Sequence, residues 1–423
     1  MKDATEYSKR EIIMKIYCML SFAILWIVTP LSATPVWEPC APMPTPRMDE
    51  ASATVNDTLY VIGGQRTTGI GEEIVLVDNV EAYVASTDEW ITGYPPIPVP
   101  LAAQACAVLD GRIYLFGGVD ENGEVAQVVW HWKPGESSWR IASLMMPNPI
   151  QGGAALAAGD GGILIIGGIT YDGQFGSGVY RFLPGVGFST EPSLEQERGR
   201  CGVGLSSEGI IAVGGYFHGP LSSTEILDRE MWRPGPELPG ARGGHLICSV
   251  GGTVFAVGGQ GTGAENGGLL RNVVSLPVGG HSWVVMPSMD TPRTLLAGGV
   301  VYDYLIAAGG LSDIDGQPTG WTERIAFETL ASNFESAPLP NISVIAFPNP
   351  SRGQCTVYAI FPQSGRWSLM LNDLAGREIY RTTGHSEQIE LALNSSVLVN
   401  NGIYVLKAVM DDSYTSIPIT VIR

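Results

Sequence analysis

The sequence predicts an all-β chain: a closed ring of six four-stranded antiparallel sheets, followed by a small β-sandwich. Three observations predict it. Six Gly-Gly pairs recur, at Gly63-Gly64, Gly117-Gly118, Gly167-Gly168, Gly214-Gly215, Gly258-Gly259 and Gly309-Gly310, each closing a short apolar run such as Leu59-Tyr60-Val61-Ile62. Successive pairs lie 54, 50, 47, 44 and 51 residues apart. A unit of that length cannot bury its own apolar face, so the copies must stack. A second landmark keeps the same phase: Trp37, Trp90, Trp139, Phe188, Trp232 and Trp283 precede the repeat starts Arg47, Leu101, Gln151, Arg198, Arg242 and Arg293 by 10, 11, 12, 10, 10 and 10 residues. The third is composition, with Gly 54, Pro 29 and no helical period, which suits many strands joined by turns.

Each unit reads as four strands. A strand of small and apolar residues leads into a tight turn, as at Asn56-Asp57, Asp110-Gly111 or Gly251-Gly252. These residues supply the positive φ of two-residue hairpins. The run ending in Gly-Gly follows, then a variable polar loop, a third strand and an aromatic-led fourth. Tyr83 precedes Trp90 by seven residues, Trp132 precedes Trp139 by seven, Phe327 precedes Phe334 by seven, and Tyr180 precedes Phe188 by eight. A ring of such sheets exposes few edges; it is a β-propeller. Both Trp37 and Phe334 fit the fourth strand of the last sheet, and Pro42-Met43-Pro44 after Trp37 favours the N-terminal one.

The chain has 423 residues, 45% hydrophobic and 16% charged, with net charge −18. Beyond the first fifteen residues the lysines are Lys133 and Lys407. Such a surface repels phosphates and anionic lipid, so neither nucleic acid nor a membrane surface is expected as a partner. Lys15, the apolar run Ile16 to Val28 and Ser32-Ala33 read as a signal peptide over residues 1–33, with Met14 as an alternative start. No other stretch is long enough to cross a bilayer, so no membrane span is expected in the mature chain. Cys40, Cys106, Cys201, Cys248 and Cys355 then remain, an odd count that implies no disulfide framework.

These repeats resemble kelch repeats, which place Gly-Gly after the second strand, an aromatic pair in the third and fourth strands, and a Pro-Arg opening such as Thr45-Pro46-Arg47 and Thr291-Pro292-Arg293. The resemblance covers residues 34–340 and implies a six-bladed kelch-type propeller. In the third repeat Phe188 replaces Trp, and the fourth lacks an aromatic seven before Trp232. The Gly pair has a steric reason, since a side chain would collide where inner strands converge.

Residues 341–423 break the period and read as about six short strands, an immunoglobulin-like β-sandwich. Pro348-Asn349-Pro350, the Asp373 to Arg377 turn and Gly402-Ile403-Tyr404-Val405 resemble the C-terminal sorting domain of the type IX secretion system. That resemblance implies the type IX machinery as a partner, and a secreted or outer-membrane-surface location in a Gram-negative bacterium. The tail Ile417 to Arg423 has one basic residue where family members often end in lysines.

No catalytic residue, metal site or cofactor is predicted. His131, His218, His245, His281 and His385 have no pair at metal-ligand spacing, and no GxSxG, HExxH, Walker or dinucleotide motif occurs. The acidic loops at Asp120 and Asp313 lack the later bidentate Glu of a calcium loop. Binding is the expected role, since propeller loops form a funnel over the central channel. Arg200 stands out fourteen residues before its Gly-Gly, where the other repeats carry Asp49, Ala103, Gly153, Gly244 and Leu295. Strand alternation puts it on the same side as Arg198, facing either the channel, where it could grip a carboxylate, or a salt bridge within its own sheet. Arg200, Asp49 and His245 are the candidate binding residues, lining a polar mouth for a protein or glycan ligand. The alternative is a carbohydrate-active enzyme of sialic acid mutarotase or galactose oxidase type.

Overall fold

The computed structural model of the protein describes residues 36–67, 73–228, 231–262, 268–312, 317–326 and, in the C-terminal module, 343–347, 355–360, 366–373, 378–385, 388–394, 397, 402–410 and 413–421. The signal segment, Phe327 and Phe334, Pro348-Asn349-Pro350 and most of the Asp373 to Arg377 turn lie outside the described residues.

Between residues 36 and 326 the strands form six four-stranded antiparallel sheets and two short two-stranded ones among the described residues. The first contains Ala51–Val55, Thr58–Ile62, Val80–Val84 and Glu89–Ile91, in that order across the sheet. The next four repeat this order, beginning at Ala105, Ala154, Gly202 and Leu246. The sixth is assembled from both ends of the ring. Ala297–Val301, Tyr304–Ala308 and Thr322–Ala326 supply three strands, and Glu38–Cys40 pairs antiparallel with Thr322–Ala326 as the fourth. The N-terminal candidate therefore closes the last sheet. Each first strand packs beside the first strand of the next sheet, and the sixth returns to the first. This all-β arrangement fits a β-propeller.

The glycines join the sheets. The second Gly of each pair donates its N–H to a carbonyl at the next repeat's start: Gly64 to Leu101, Gly118 to Ile150, Gly168 to Arg198, Gly215 to Arg242, Gly259 to Arg293 and Gly310 to Arg47, at 2.7–2.9 Å. The carbonyl must come so close that the first Gly has no room for a side chain. A Cβ on Gly117 would lie 1.9 Å from the Ile150 oxygen, and one on Gly167 or Gly214 2.5 Å from the Arg198 or Arg242 oxygen. Positive φ at both positions adds a second reason for glycine.

The aromatic landmarks are rivets between sheets. The indole N–H of Trp37, Trp90, Trp139, Trp232 and Trp283 donates to the carbonyl of Pro287, Ala41, Pro95, Pro192 and Pro236, each contributed by the loop after the preceding sheet. Phe188 has no such donor. Its cross-strand ring partner is Phe182, 4.9 Å away, and not Tyr180, which faces Thr190. That corrects the aromatic pair of the third repeat: its hairpin is two residues tighter than spacing alone implies.

The repeat-start arginines are fully buried. Arg47 pairs with Glu81 at 2.9 Å, Arg198 with Glu225 at 2.6 Å and Arg293 with Glu323 at 2.7 Å. Each carboxylate also accepts backbone N–H groups of the loop entering the repeat, such as Glu195 and Gln196 on Glu225. A buried ion pair is tolerated only with its hydrogen bonds filled in this way. Arg242 bonds the Gly258 and Asn272 carbonyls but has no ion pair among the described residues, because Val274 occupies the place of the glutamate. Burial lowers its pKa to about 10.

Among the described residues the C-terminal module has two sheets. Ser343–Phe347, Cys355–Ile360 and Gln388–Leu393 form one; Arg366–Asp373, Glu378–His385, Gly402–Met410 and Ser413–Val421 form the other. Alternate residues of both meet in one core, with Cys355, Val357 and Ala359 from the first against Trp367, Leu369, Leu371, Tyr404, Leu406 and Ala408 from the second. The period-2 pattern that marked these strands is thus the burial pattern.

Candidate functional site

Where the six first strands converge, the backbone pinches into a closed circle. The N–H of Ala103 donates to Asp49 O, Gly152 to Ala103 O, Arg200 to Gly152 O, Gly244 to Arg200 O, Leu295 to Gly244 O and Asp49 to Leu295 O, at 2.6–3.0 Å. All six residues have φ between 49° and 61°. For the four that are not glycine this left-handed conformation costs about 1–2 kcal/mol each, so the closed circle must hold them there. The third repeat contributes Gly152 rather than Gly153, because its Asp160-Gly161-Gly162 turn is one residue longer and shifts the count.

Positive φ also overturns the alternation argument for Arg200. Arg198 turns into its own sheet, onto Glu225 and the Gly214 carbonyl. Arg200, two residues on, turns the other way and bonds the Asp49 carboxylate on the far side of the ring. The salt bridge is therefore between the fourth and first sheets, not within one. Asp49 is 9% exposed and Arg200 26%. Burial works against the Arg200 charge, but the Asp49 carboxylate outweighs it and holds the guanidinium above its ordinary pKa.

Arg200 separates two cavities. On one side is the central channel, about 210 Å³, lined by the first strands and by Asp49, Glu50, Gln104 and His245. On the other is a mouth of about 350 Å³ among the post-glycine loops, lined by Ile169, Phe175, Tyr216, His218 and Leu311. So the structure joins Arg200 and Asp49 directly. It places His245 in the channel wall rather than in the mouth. His245 is buried, and burial, reinforced by Arg242 and Arg198, lowers its pKa to about 3. It is a neutral imidazole at physiological pH.

Sequence reading named His245 but missed that it belongs to a set, the position after each circle residue, and so missed Glu50 and Gln104. Glu50, Gln104 and His245 all pack on the first Gly of the preceding sheet's pair, Gly309, Gly63 and Gly214. Glu50 Oε1 accepts the Ala297 N–H at 3.1 Å while Oε2 has no partner. Burial pushes its pKa up to about 8 against the pull of Arg47. It also missed the aromatic corner of the mouth, Phe175, Phe217 and His218, with ring centroids 4.5–5.9 Å apart. The run Tyr216-Phe217-His218 directly after a Gly-Gly was the available signal.

His131 is half-buried, stacked on Tyr114, and its Nδ1 lies 2.9 Å from Arg112 Nη1, whose guanidinium also grips Glu136. No group of three or more His, Cys, Asp or Glu among the described residues is placed to hold a metal. All five described cysteines are free thiols, and burial raises the pKa of Cys106, Cys201, Cys248 and Cys355 to about 11–12. Among the described residues no helix is long and apolar enough to cross a membrane.

A kelch-motif family model matches residues 100–145, the second sheet with its entering loop. The chain is 28% identical to Kelch-like protein terF of Aspergillus terreus over 267 residues, 58% of this chain and 57% of that protein. It is 30% identical to human Kelch-like protein 33 over 98 residues, 23% of this chain and 17% of the relative. To human Kelch repeat and BTB domain-containing protein 12 it is 29% identical over 118 residues, 26% and 19% of the two chains. The chain thus spans less than two thirds of these curated relatives. The motif match and the relatives, on six sheets joined through their Gly-Gly pairs, support a kelch-repeat protein with a fold that fits a β-propeller.

Proposed function

We propose that the six sheets are the blades of one kelch propeller, and that its loop face recognises a partner protein. The observation that carries this is the contrast between the two ends of the ring axis. The backbone circle and the Arg200–Asp49 pair close the axis between two cavities; the channel beyond them is lined by the repeated first strands, while the loop side keeps a cavity walled by aromatic and aliphatic side chains. Kelch relatives point to protein interaction, and rigid sheets presenting variable loops are suited to it. The chemistry at the axis favours binding over catalysis: Arg200 is committed to Asp49, and His245 lies buried in the channel wall. A peptide-display library panned over the immobilised full chain tests the reading. Retention of peptides that is lost on loop-face substitution supports it; an empty screen sinks it.

We also propose export, with residues 1–33 as signal peptide and residues 341–423 as an immunoglobulin-like sorting module read by the type IX machinery. The two-sheet core of that module, with alternate residues of both sheets buried together, supports a sandwich. Deleting residues 341–423 should retain the protein inside a type IX-competent host. Unchanged surface delivery would refute the role.

A further inference from the structure

We infer that the mouth takes a bulky apolar side chain, presented by a neutral-to-basic segment of the partner. This deepens the protein-binding reading and rests on it. The cavity of about 350 Å³ is walled by Ile169, Phe175, Tyr216, Leu295 and Leu311. A dry apolar cavity of about 150 Å³ already accommodates benzene, so this one has room for a phenyl or indole group. One wall is an aromatic corner. Phe175 and His218 line it, their rings edge to face at 5.9 Å, and Phe217 packs behind both, 5.9 Å from Phe175 and 4.5 Å from His218. His218 is held at φ 54°, an unfavourable conformation for a residue with a side chain, which fixes this corner in place.

The floor argues against an anionic ligand. Arg200 is the cation there, and its Nη1 is already bound to Asp49 on the channel side. Asp49 already compensates the Arg200 charge from the channel side, so the floor offers an incoming carboxylate no unpaired cation. The rim agrees. The post-glycine loops carry Asp120, Glu121, Glu124 and Asp172 against Arg66 and Arg271, on a chain of net charge −18. An apolar anchor flanked by neutral or basic residues matches both floor and rim.

The test panels a synthetic peptide array over the full chain, varying one central residue and the charge of its flanks. Peptides with Trp, Phe or Leu at the centre and Lys or Arg beside it should bind best, and more weakly as salt is raised. Phe175→Ala should weaken them by roughly tenfold or more, with an unchanged melting profile; Leu311→Ala serves if the first variant does not fold. Binding led by Asp- or Glu-rich peptides, or binding indifferent to both substitutions, overturns this inference while leaving protein recognition intact. An array with no binder removes the protein-binding reading and this inference with it.

Discussion

Replacing Glu50 by Gln should stabilise the protein, and by more as pH rises. The Glu50 carboxyl lies between the first and sixth sheets, where one oxygen accepts the Ala297 N–H and the other is buried with no partner among the described residues. Burial lifts its pKa to about 8, from 4.5 in the open chain. Between these values the folded protein keeps a proton that the unfolded chain has lost. Stability therefore falls as pH rises through the window, by about 1.4 kcal/mol per pH unit. The accumulated loss is roughly 3 kcal/mol at pH 7, levelling near 5 kcal/mol above pH 8. Glutamine carries no charge, still offers an oxygen to Ala297, and is what the second repeat uses at the same position, where Gln104 bonds the Leu101 carbonyl at 3.0 Å. The amide lacks a second partner, which offsets about 1 kcal/mol of the gain. The assay is urea denaturation of both proteins from pH 4.5 to 8.5, read as the difference between them, so that every other titrating group cancels. A variant less stable than the parent at pH 8, or a difference flat with pH, would refute the argument.

Three further outcomes are expected. Gly117→Ala should destabilise by several kcal/mol, since its Cβ would meet the Ile150 oxygen at 1.9 Å, whereas Gly123→Ala, with positive φ and open space, should cost about 1–2 kcal/mol; paired denaturation curves separate them. His245→Leu copies Leu296 of the sixth repeat and should gain stability over the parent as pH falls from 6.5 towards 3, because the parent loses stability there: its unfolded imidazole takes up a proton that the folded one, at about 3, refuses; thermal melts of both proteins at pH 4.5 and 7.5 check it. Arg198→Met strands Glu225 in the interior and should cost about 3–5 kcal/mol, much of it recovered when Glu225→Leu is added; a double-mutant cycle measures the coupling.

The sequence alone determined the repeating unit. Gly-Gly, the phased aromatics and the repeat-start arginines are legible because each answers a local need that recurs: a carbonyl approaching too close for a Cβ, an indole N–H seeking the preceding loop, a buried cation gripping its own sheet. It also marked strand positions in the C-terminal module, where period-2 alternation coincides with the shared core. The tertiary structure decided what happens at the axis. Arg200 and Asp49 are 151 residues apart and meet only because six sheets bring their first strands around a circle. Their orientation follows from left-handed backbone, which alternation cannot foresee. The burial of His245 and Glu50 is likewise set by the neighbouring sheet, not by adjacent residues. Local pattern reports what a strand needs from its own unit; charge pairing and desolvation across units depend on distances that exist only after the ring has closed.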